Sequence, residues 1–280
     1  MRRLALPAAA LLLTCLSAVA PAHAAATTSS AAPAPSACTQ PVTPRGPALT
    51  QLHRVLASSA THPVPMAALG SSTTFGKDLS SPRQRWTDRL MVDLIAHGVH
   101  GDPVTMGALD PRALSHRPGA RMVNAGIPGA VAADDMVGYL PSLLLSSVTG
   151  SSPAVVFHMI GANDYWLQDP PPLFGTALGA TTTAVGTLAP GAVQVIVATF
   201  QDPARSTGKH PWSEYVDQMR RVASADPQHR IFINLAPWFR HVQVPGQDPN
   251  GYLDTGGVHP SAKGQAMIAS LLMRALRYGC

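Results

Sequence analysis

The sequence predicts an α/β protein, a three-layer α/β/α sandwich built on a five-stranded parallel sheet of the flavodoxin-like kind. Short apolar runs, most of them rich in β-branched residues, recur from residue 62 onward. Segments with helical periodicity lie between these runs, and strands that alternate with helices imply a parallel sheet covered on both faces. The predicted strands are residues 64–69, 120–124, 154–160, 193–199 and 230–235.

The helices are predicted from apolar residues that recur every three to four positions. Trp86, Leu90 and Leu94 lie on one helical face. Further helices are expected near residues 131–147, 173–189 and 212–224. The last helix should begin after Ser261, whose hydroxyl suits an N-cap, and continue to Leu276.

The first residues predict export. Two arginines precede an Ala/Leu-rich apolar run, and Ala22-His23-Ala24 offers small residues for cleavage, so residues 1–24 are predicted to be a signal peptide. An N-terminal membrane helix is the alternative, but the apolar run is short for a span. We expect residues 25–61 to be a flexible arm and lead-in rich in Ala, Ser, Thr and Pro, and residues 62–280 to be the single folded domain. The protein would then be secreted or periplasmic, without a stable membrane anchor after processing.

Charge and cysteine content exclude some classes of function. The net charge of +5 falls to +3 once Arg2 and Arg3 leave with the signal peptide, and no run of basic residues suggests nucleic-acid binding. The remaining cysteines, Cys38 and Cys280, have no metal-site spacing and are expected to form a disulfide after export; two free thiols are the alternative. The sequence predicts no metal and no cofactor.

Polar segments follow the predicted strands at the edge where a parallel sheet places its chemistry. In chain order they are GSSTTFG (70–76), NAGIPG (124–129), GAND (161–164) and DTGGVHP (254–260). Acyl transfer needs a hydroxyl activated by an imidazole, together with fixed donors for the oxyanion. Ser72 and His259 would supply the first pair. Gly126, Asn163 and the N–H of Ser72 would supply the donors.

The same four segments resemble the conserved blocks of SGNH (GDSL-like) hydrolases, in the family's order from about residue 64 to the end. The resemblance implies the SGNH hydrolase fold, with Ser72 as nucleophile, His259 as base, and Gly126 and Asn163 as oxyanion donors. Ser71 departs from the pattern, because the family has aspartate before the nucleophile.

A second departure concerns the acid of the triad. The resemblance places it three residues before the histidine, where this chain has Gly256. Either Asp254 reaches His259 through an extra bend in the loop, or a backbone carbonyl orients the imidazole; Asp254 is the preferred candidate.

Each site residue also has a simpler explanation. Serine after a strand often caps a helix, Gly126 could serve a tight bend, and Asn163 a turn. His158, inside a predicted strand, is interpreted as a core residue, whereas Trp166 and Phe174 would either line the pocket or pack a loop.

The leading hypothesis is an exported carboxylic-ester hydrolase, expected to be a monomer, that acts through an acyl-enzyme on a lipid ester, a thioester or an O-acetylated glycan. The alternatives are an acyltransferase with the same Ser/His site and a non-catalytic glycan-binding protein of the same fold.

Overall fold

The computed structural model describes residues 46–107, 110, 116–134, 152–199, 209–243, 248 and 250–278. Within these residues the strands are β1 (Pro63–Gly70), β2 (Met106–Gly107), β3 (Gly119–Gly126), β4 (Val155–Met159), β5 (Val193–Ala198) and β6 (Arg230–Asn234). The helices are α1 (Pro47–Ala57), α2 (Ser72–Phe75), α3 (Trp86–Ala96), α4 (Ala162–Leu167), α5 (Pro171–Leu188), α6 (Trp212–Ser224) and α7 (Ala262–Ala275). Short 3₁₀ turns occur at Ser58–Ala60, Pro82–Gln84 and Ala236–Gln243.

The strands form one parallel sheet in the order β2-β3-β1-β4-β5-β6. The five predicted strands are therefore confirmed, but the predicted number is wrong, because β2 adds a sixth. This edge strand has only two residues, Met106 and Gly107, and is too short to show a period-2 pattern in the sequence.

The register brings the carboxyl ends of three neighbouring strands side by side. Gly70, the last residue of β1, pairs with Gly126 of β3 on one side and with Met159 of β4 on the other. The polar segments that follow these strands consequently start at one edge of the sheet, as predicted.

Helices cover both faces of the sheet because consecutive strand residues point to opposite sides. In β1, Met66 belongs to the core cluster beneath α1, α3 and α7, whereas Ala67 belongs to a cluster on the other face. Burial of these two apolar layers is the main source of stability for such a sandwich.

Helix α1 lies before residue 62, within the predicted lead-in. Its residues Leu49, Leu52 and Leu56 are buried and join the core cluster of α3 and α7. The folded domain therefore includes a helix N-terminal to the predicted boundary.

The structure contains the helix predicted from Trp86, Leu90 and Leu94, those predicted near 173–189 and 212–224, and the one predicted from about Ser261 to Leu276. Ser261 caps the last one, accepting the N–H of Gly264 at 3.2 Å. The helix predicted near 131–147 lies mostly outside the described residues. No helix in the described part of the chain is both long enough and apolar enough to span a bilayer.

Candidate active site

Ser72 lies at the start of a single helical turn directly after the central strand. The carbonyl oxygen of Ser71 accepts the N–H of Phe75, and that of Ser72 accepts the N–H groups of Gly76 and Lys77, all at 3.0 Å. These bonds hold Ser72 at the carboxyl edge of the sheet. As the first residue of α2 it has an N–H group without an acceptor inside the helix.

Gly126 packs beneath this turn and does not face the cavity. A Cβ there would lie 2.3 Å from the backbone nitrogen of Phe75, so only glycine lets β3 approach α2 this closely. Its N–H donates to Oδ1 of Asn124 at 3.0 Å. The prediction that Gly126 is an oxyanion donor therefore disagrees with the structure, because its only N–H is already bonded away from the site.

Gly129 is the glycine of this segment that lines the cavity. Its φ of +86° is in the left-handed region that favours glycine. The neighbouring residue Ala130 accepts, through its carbonyl oxygen, a hydrogen bond of 2.8 Å from Nδ2 of Asn163. The sequence contained the signal for Gly129, since it is the second glycine of the segment 124–129.

Asp164 also holds the loop that contains Gly129 and Ala130. Its carboxylate is buried and accepts the N–H of Ala132 at 3.0 and 3.2 Å. Burial raises the pKa of Asp164 to about 6, although the bond from Ala132 opposes the shift. The Asn163-Asp164 pair thus anchors the loop at two points, a role that the sequence analysis did not assign to Asp164.

His259 is carried by a closed loop in front of α7. The N–H of Asp254 donates to the carbonyl oxygen of His259 at 2.8 Å. In return, Oδ1 of Asp254 accepts the N–H groups of Val258 and His259 at 2.9 and 3.1 Å. Asp254 therefore shapes the loop through its backbone and one carboxylate oxygen.

Two carboxylates approach the Nδ1 atom of His259. Oδ2 of Asp78 is 2.8 Å away and Oδ2 of Asp254 is 3.7 Å away. The contact with Asp78 is an ion-pair contact rather than an aligned hydrogen bond, because Nδ1 is buried and makes no directed hydrogen bond. Asp254, the predicted orienting acid, is the more distant carboxylate, and sequence reasoning missed Asp78.

These three side chains also form a cluster of metal-ligand type. One ligand atom from each of Asp78, Asp254 and His259 lies within 4.8 Å of the others. Two carboxylates beside an imidazole suit either a cation or a protonated imidazole.

Gln265 connects the nucleophile turn to the last helix. Its side chain is buried; Nε2 donates to the carbonyl oxygen of Thr73 at 3.0 Å, and Oε1 accepts the N–H of Trp86 at 2.9 Å. Because α7 follows His259 directly, this side chain ties both halves of the site to each other.

One cavity of about 340 Å³ brings the predicted site residues together. Ser72, Asn163 and His259 all line it. The remaining lining residues are Thr73, Lys77, Pro128, Gly129, Ala162, Tyr165, Trp166, Thr199, Val258 and Pro260.

The structure also shows where the other residues discussed in the sequence analysis lie. Trp166 lines the cavity, whereas Phe174 is buried in the core with α6. His158 is a core residue as predicted: it is fully buried and Nε2 lies 3.1 Å from Oε1 of Gln194. The predicted Cys38–Cys280 disulfide lies outside the described residues.

Comparison with known proteins identifies the family. Residues 68–267 match the profile of the GDSL-like Lipase/Acylhydrolase family. A comparison with curated protein sequences gives no match.

Solved structures share the fold at low sequence identity. The crystal structure of TesA matches with a TM-score of 0.57 and 20% identity, over 76% of this chain and 97% of that one. The psychrotrophic esterase EstA from Pseudoalteromonas sp. matches with a TM-score of 0.54 and 16% identity, over 76% of this chain and 96% of that one. The acetyl-xylooligosaccharide esterase Axe2 from Geobacillus stearothermophilus matches with a TM-score of 0.52 and 20% identity, over 77% of this chain and 94% of that one. The profile match covers most of the chain, and the chain accordingly belongs to the GDSL-like lipase/acylhydrolase family of SGNH hydrolases.

Proposed function

We propose that the protein hydrolyses carboxylic esters through an acyl-enzyme formed on Ser72. The observation that carries the proposal is the shared cavity, which Ser72, Asn163 and His259 line although they come from three distant segments of the chain. A hydroxyl, an imidazole and amide donors around one cavity are the groups that acyl transfer requires.

In the acylation step, Oγ of Ser72 attacks the ester carbonyl carbon while His259 takes the hydroxyl proton. The Nδ1 atom of His259 faces carboxylates, so Nε2 is the nitrogen that receives this proton. The tetrahedral intermediate collapses as the C–O bond to the alcohol breaks and the imidazolium returns the proton to the leaving oxygen. Water then attacks the acyl-Ser72 ester, with His259 again as base, and releases the acid.

The oxyanion needs donors that are already in place before the reaction. We assign this role to the carboxamide of Asn163 and the backbone N–H groups of Gly129 and Ser72. Asn163 uses one amide hydrogen on Ala130, and a second remains for substrate. Gly129 takes the place that the sequence analysis gave to Gly126.

The substrate class that we propose is a lipid ester, a thioester or an O-acetylated glycan. Trp166 lines the cavity and is 57% exposed, so its ring offers an apolar surface to an acyl chain or a sugar face. Among structural neighbours, a two-domain esterase is described as active on acetylated mannans, which supports testing acetylated polysaccharides first.

The proposed site of action is outside the cytoplasm. The basic start, the apolar run and the Ala22-His23-Ala24 segment support export, and export would permit a Cys38–Cys280 disulfide. Intact-mass analysis of protein recovered from the periplasm or medium tests both points. We expect cleavage after residue 24 and the loss of two hydrogens; retention of residues 1–24 or two free thiols would contradict them.

Hydrolysis of p-nitrophenyl acetate and labelling by a fluorophosphonate test the nucleophile. We expect Ser72→Ala to abolish both, whereas Ser71→Ala, at a neighbouring buried serine, should retain labelling. Acetylated xylan and mannan then test the glycan class. Turnover that appears only with an added alcohol acceptor would favour the acyltransferase alternative. If the wild-type protein shows neither hydrolysis nor labelling, the glycan-binding alternative replaces this proposal.

A further inference from the structure

The usual acid of the family is missing from its expected place, since position 256 is glycine. Asp254 is poorly placed to orient the imidazole of His259 in its stead. Its Oδ1 accepts the N–H groups of Val258 and His259, and its Oδ2 is 3.7 Å from the imidazole Nδ1. That distance is too long for a hydrogen bond, so the main work of this carboxylate is to hold the loop.

Asp78 comes closer, and it belongs to a distant segment of the chain. Its Oδ2 is 2.8 Å from Nδ1 of His259. Asp78 lies in the turn that follows α2, and the Gly76 C-cap directs the chain into this turn in a left-handed conformation. The same short segment therefore carries the proposed nucleophile, Ser72, and a carboxylate for the base.

The backbone at Asp78 supports a specific placement of this side chain. Its φ of +66° is in the left-handed region, which residues other than glycine adopt at a cost and aspartate tolerates better than most. Strained backbone of this kind occurs often at functional sites, where the surrounding structure maintains it. Here the conformation coincides with the contact to His259.

Burial distinguishes this pair from an ordinary surface ion pair. The His259 side chain is only 14% exposed and its Nδ1 atom is buried, whereas the Asp78 side chain is 47% exposed. The carboxylate of Asp78 therefore faces an imidazole that water reaches poorly. Surface pairs contribute little because water screens both partners, and that condition does not hold for His259.

We propose that Asp78 is the positioning residue for His259 and takes the place of the acid that the family has at position 256; this inference rests on the proposed function of Ser72 and His259. Catalytic hydrogen bonds are often poorly aligned in structures without substrate. A small rotation at the 2.8 Å contact lets Nδ1–H donate to Asp78, which keeps the proton on Nδ1 and leaves Nε2 free to accept the proton of Ser72. Asp78 also stabilises the imidazolium that forms during acylation and deacylation.

Two matched variants test the inference. Asp78→Asn and Asp254→Asn each remove one negative charge and keep the shape of the side chain. Asparagine tolerates the left-handed conformation of position 78, and at position 254 its Oδ1 still accepts the N–H groups of Val258 and His259. Neither substitution should prevent folding, which the melting temperature checks.

Four quantities are measured on both variants and the wild type: kcat and KM for p-nitrophenyl acetate, the rate of fluorophosphonate labelling at Ser72, and the low-field proton resonance of the His259 Nδ1–H. The resonance is assigned by its loss in His259→Gln. Assays are run with and without EDTA, because the Asp78, Asp254 and His259 cluster could also hold a cation.

We expect Asp78→Asn to lower kcat and the labelling rate by about 10²- to 10⁴-fold, with KM changed by less than about twofold and the resonance lost. Asp254→Asn should lose less than about tenfold and keep the resonance. EDTA should have no effect.

The inference is overturned by a larger loss in Asp254→Asn, by a wild-type rate in Asp78→Asn, by a loss in Asp78→Asn that comes with a lower melting temperature, or by inhibition with EDTA. A wild-type protein without turnover or labelling would refute the proposed function instead. The resonance would then still report whether Asp78 pairs with His259.

Discussion

Asn163 donates a hydrogen bond of 2.8 Å to the carbonyl oxygen of Ala130, and this bond fixes the amide beside the loop that carries Gly129. The neighbouring Asp164 holds the same loop through the N–H of Ala132. The proposed oxyanion donors are therefore oriented before substrate arrives, which is the condition under which such donors accelerate a reaction most.

Replacing Asn163 by alanine should lower kcat by about 10²- to 10³-fold, because one oxyanion donor is lost and the loop at Ala130 is released. Steady-state kinetics with p-nitrophenyl acetate measures the effect. Thr187→Ala, on the exposed side of α5, is the control and should match the wild type. Full activity in Asn163→Ala would exclude Asn163 from the oxyanion site.

Two glycine variants separate a packing role from a catalytic one. In Gly126→Ala the new Cβ would meet the backbone of Phe75 at 2.3 Å, so α2 must move and the melting temperature should fall sharply. In Gly129→Ala nothing lies within 4 Å of the new Cβ, and only the left-handed φ opposes it, at about 1–2 kcal/mol. This variant should fold and lose kcat. Equal melting temperatures for the two variants would contradict the distinction.

Gln265→Leu should lower the free energy of unfolding by about 2–4 kcal/mol, because the N–H of Trp86 and the carbonyl oxygen of Thr73 lose their partner in the interior. Urea denaturation gives the value. The control is Gln51→Leu, which removes an exposed hydrogen bond to Gly191 and should cost less than about 1 kcal/mol. Similar losses in both variants would mean that Gln265 is not a buried link.

Stability should depend on the protonation of His158 in acid. Burial lowers the pKa of His158 from 6.5 to about 4, so the unfolded chain binds the proton more readily than the folded chain. The contribution is complete above pH 6.5 and is lost as the pH falls toward 4, by an amount on the order of 3 kcal/mol. In His158→Gln, the melting temperature relative to the wild type should rise as the pH falls from 7 to 4. A constant difference would show that His158 does not titrate this way.

The protonation of Asp164 should change the stability with pH in the opposite direction. Burial raises its pKa from 3.8 to about 6, so the folded chain holds the proton more readily and stability is lost as the pH rises from about 4 through 6. Scanning calorimetry of Asp164→Asn against the wild type isolates this group, and the difference should move in favour of the variant between pH 4 and 7.5. A difference that moves the other way would show that the hydrogen bonds from Ala132 outweigh the burial of the carboxylate.

Most of the sheet and the approximate position of the site could be predicted from the sequence. Buried strands appear as apolar runs, and the geometry of a parallel sheet places the polar segments that follow them at one edge. Helix α1 was not predicted, although Leu49, Leu52 and Leu56 have helical spacing. The stretch before them is rich in Pro and Ser, a composition typical of a flexible segment. The contact of Asp78 with His259 could not be predicted, since an aspartate in a turn has no periodicity and the contact coincides with a left-handed backbone. Gln265 was equally hidden: its two partners, Thr73 and Trp86, are 192 and 179 residues away in the chain.

The span of these contacts has a consequence for the newly made protein. Ser72 and Asp78 leave the ribosome early, whereas His259 and Gln265 belong to the final part of the sequence. A chain that is still incomplete therefore contains the hydroxyl of Ser72 without the imidazole of His259, and the turn around Thr73 without its hydrogen bond from Gln265. Ser72 and His259 can therefore come together only after α7 has been synthesised and has docked onto the core.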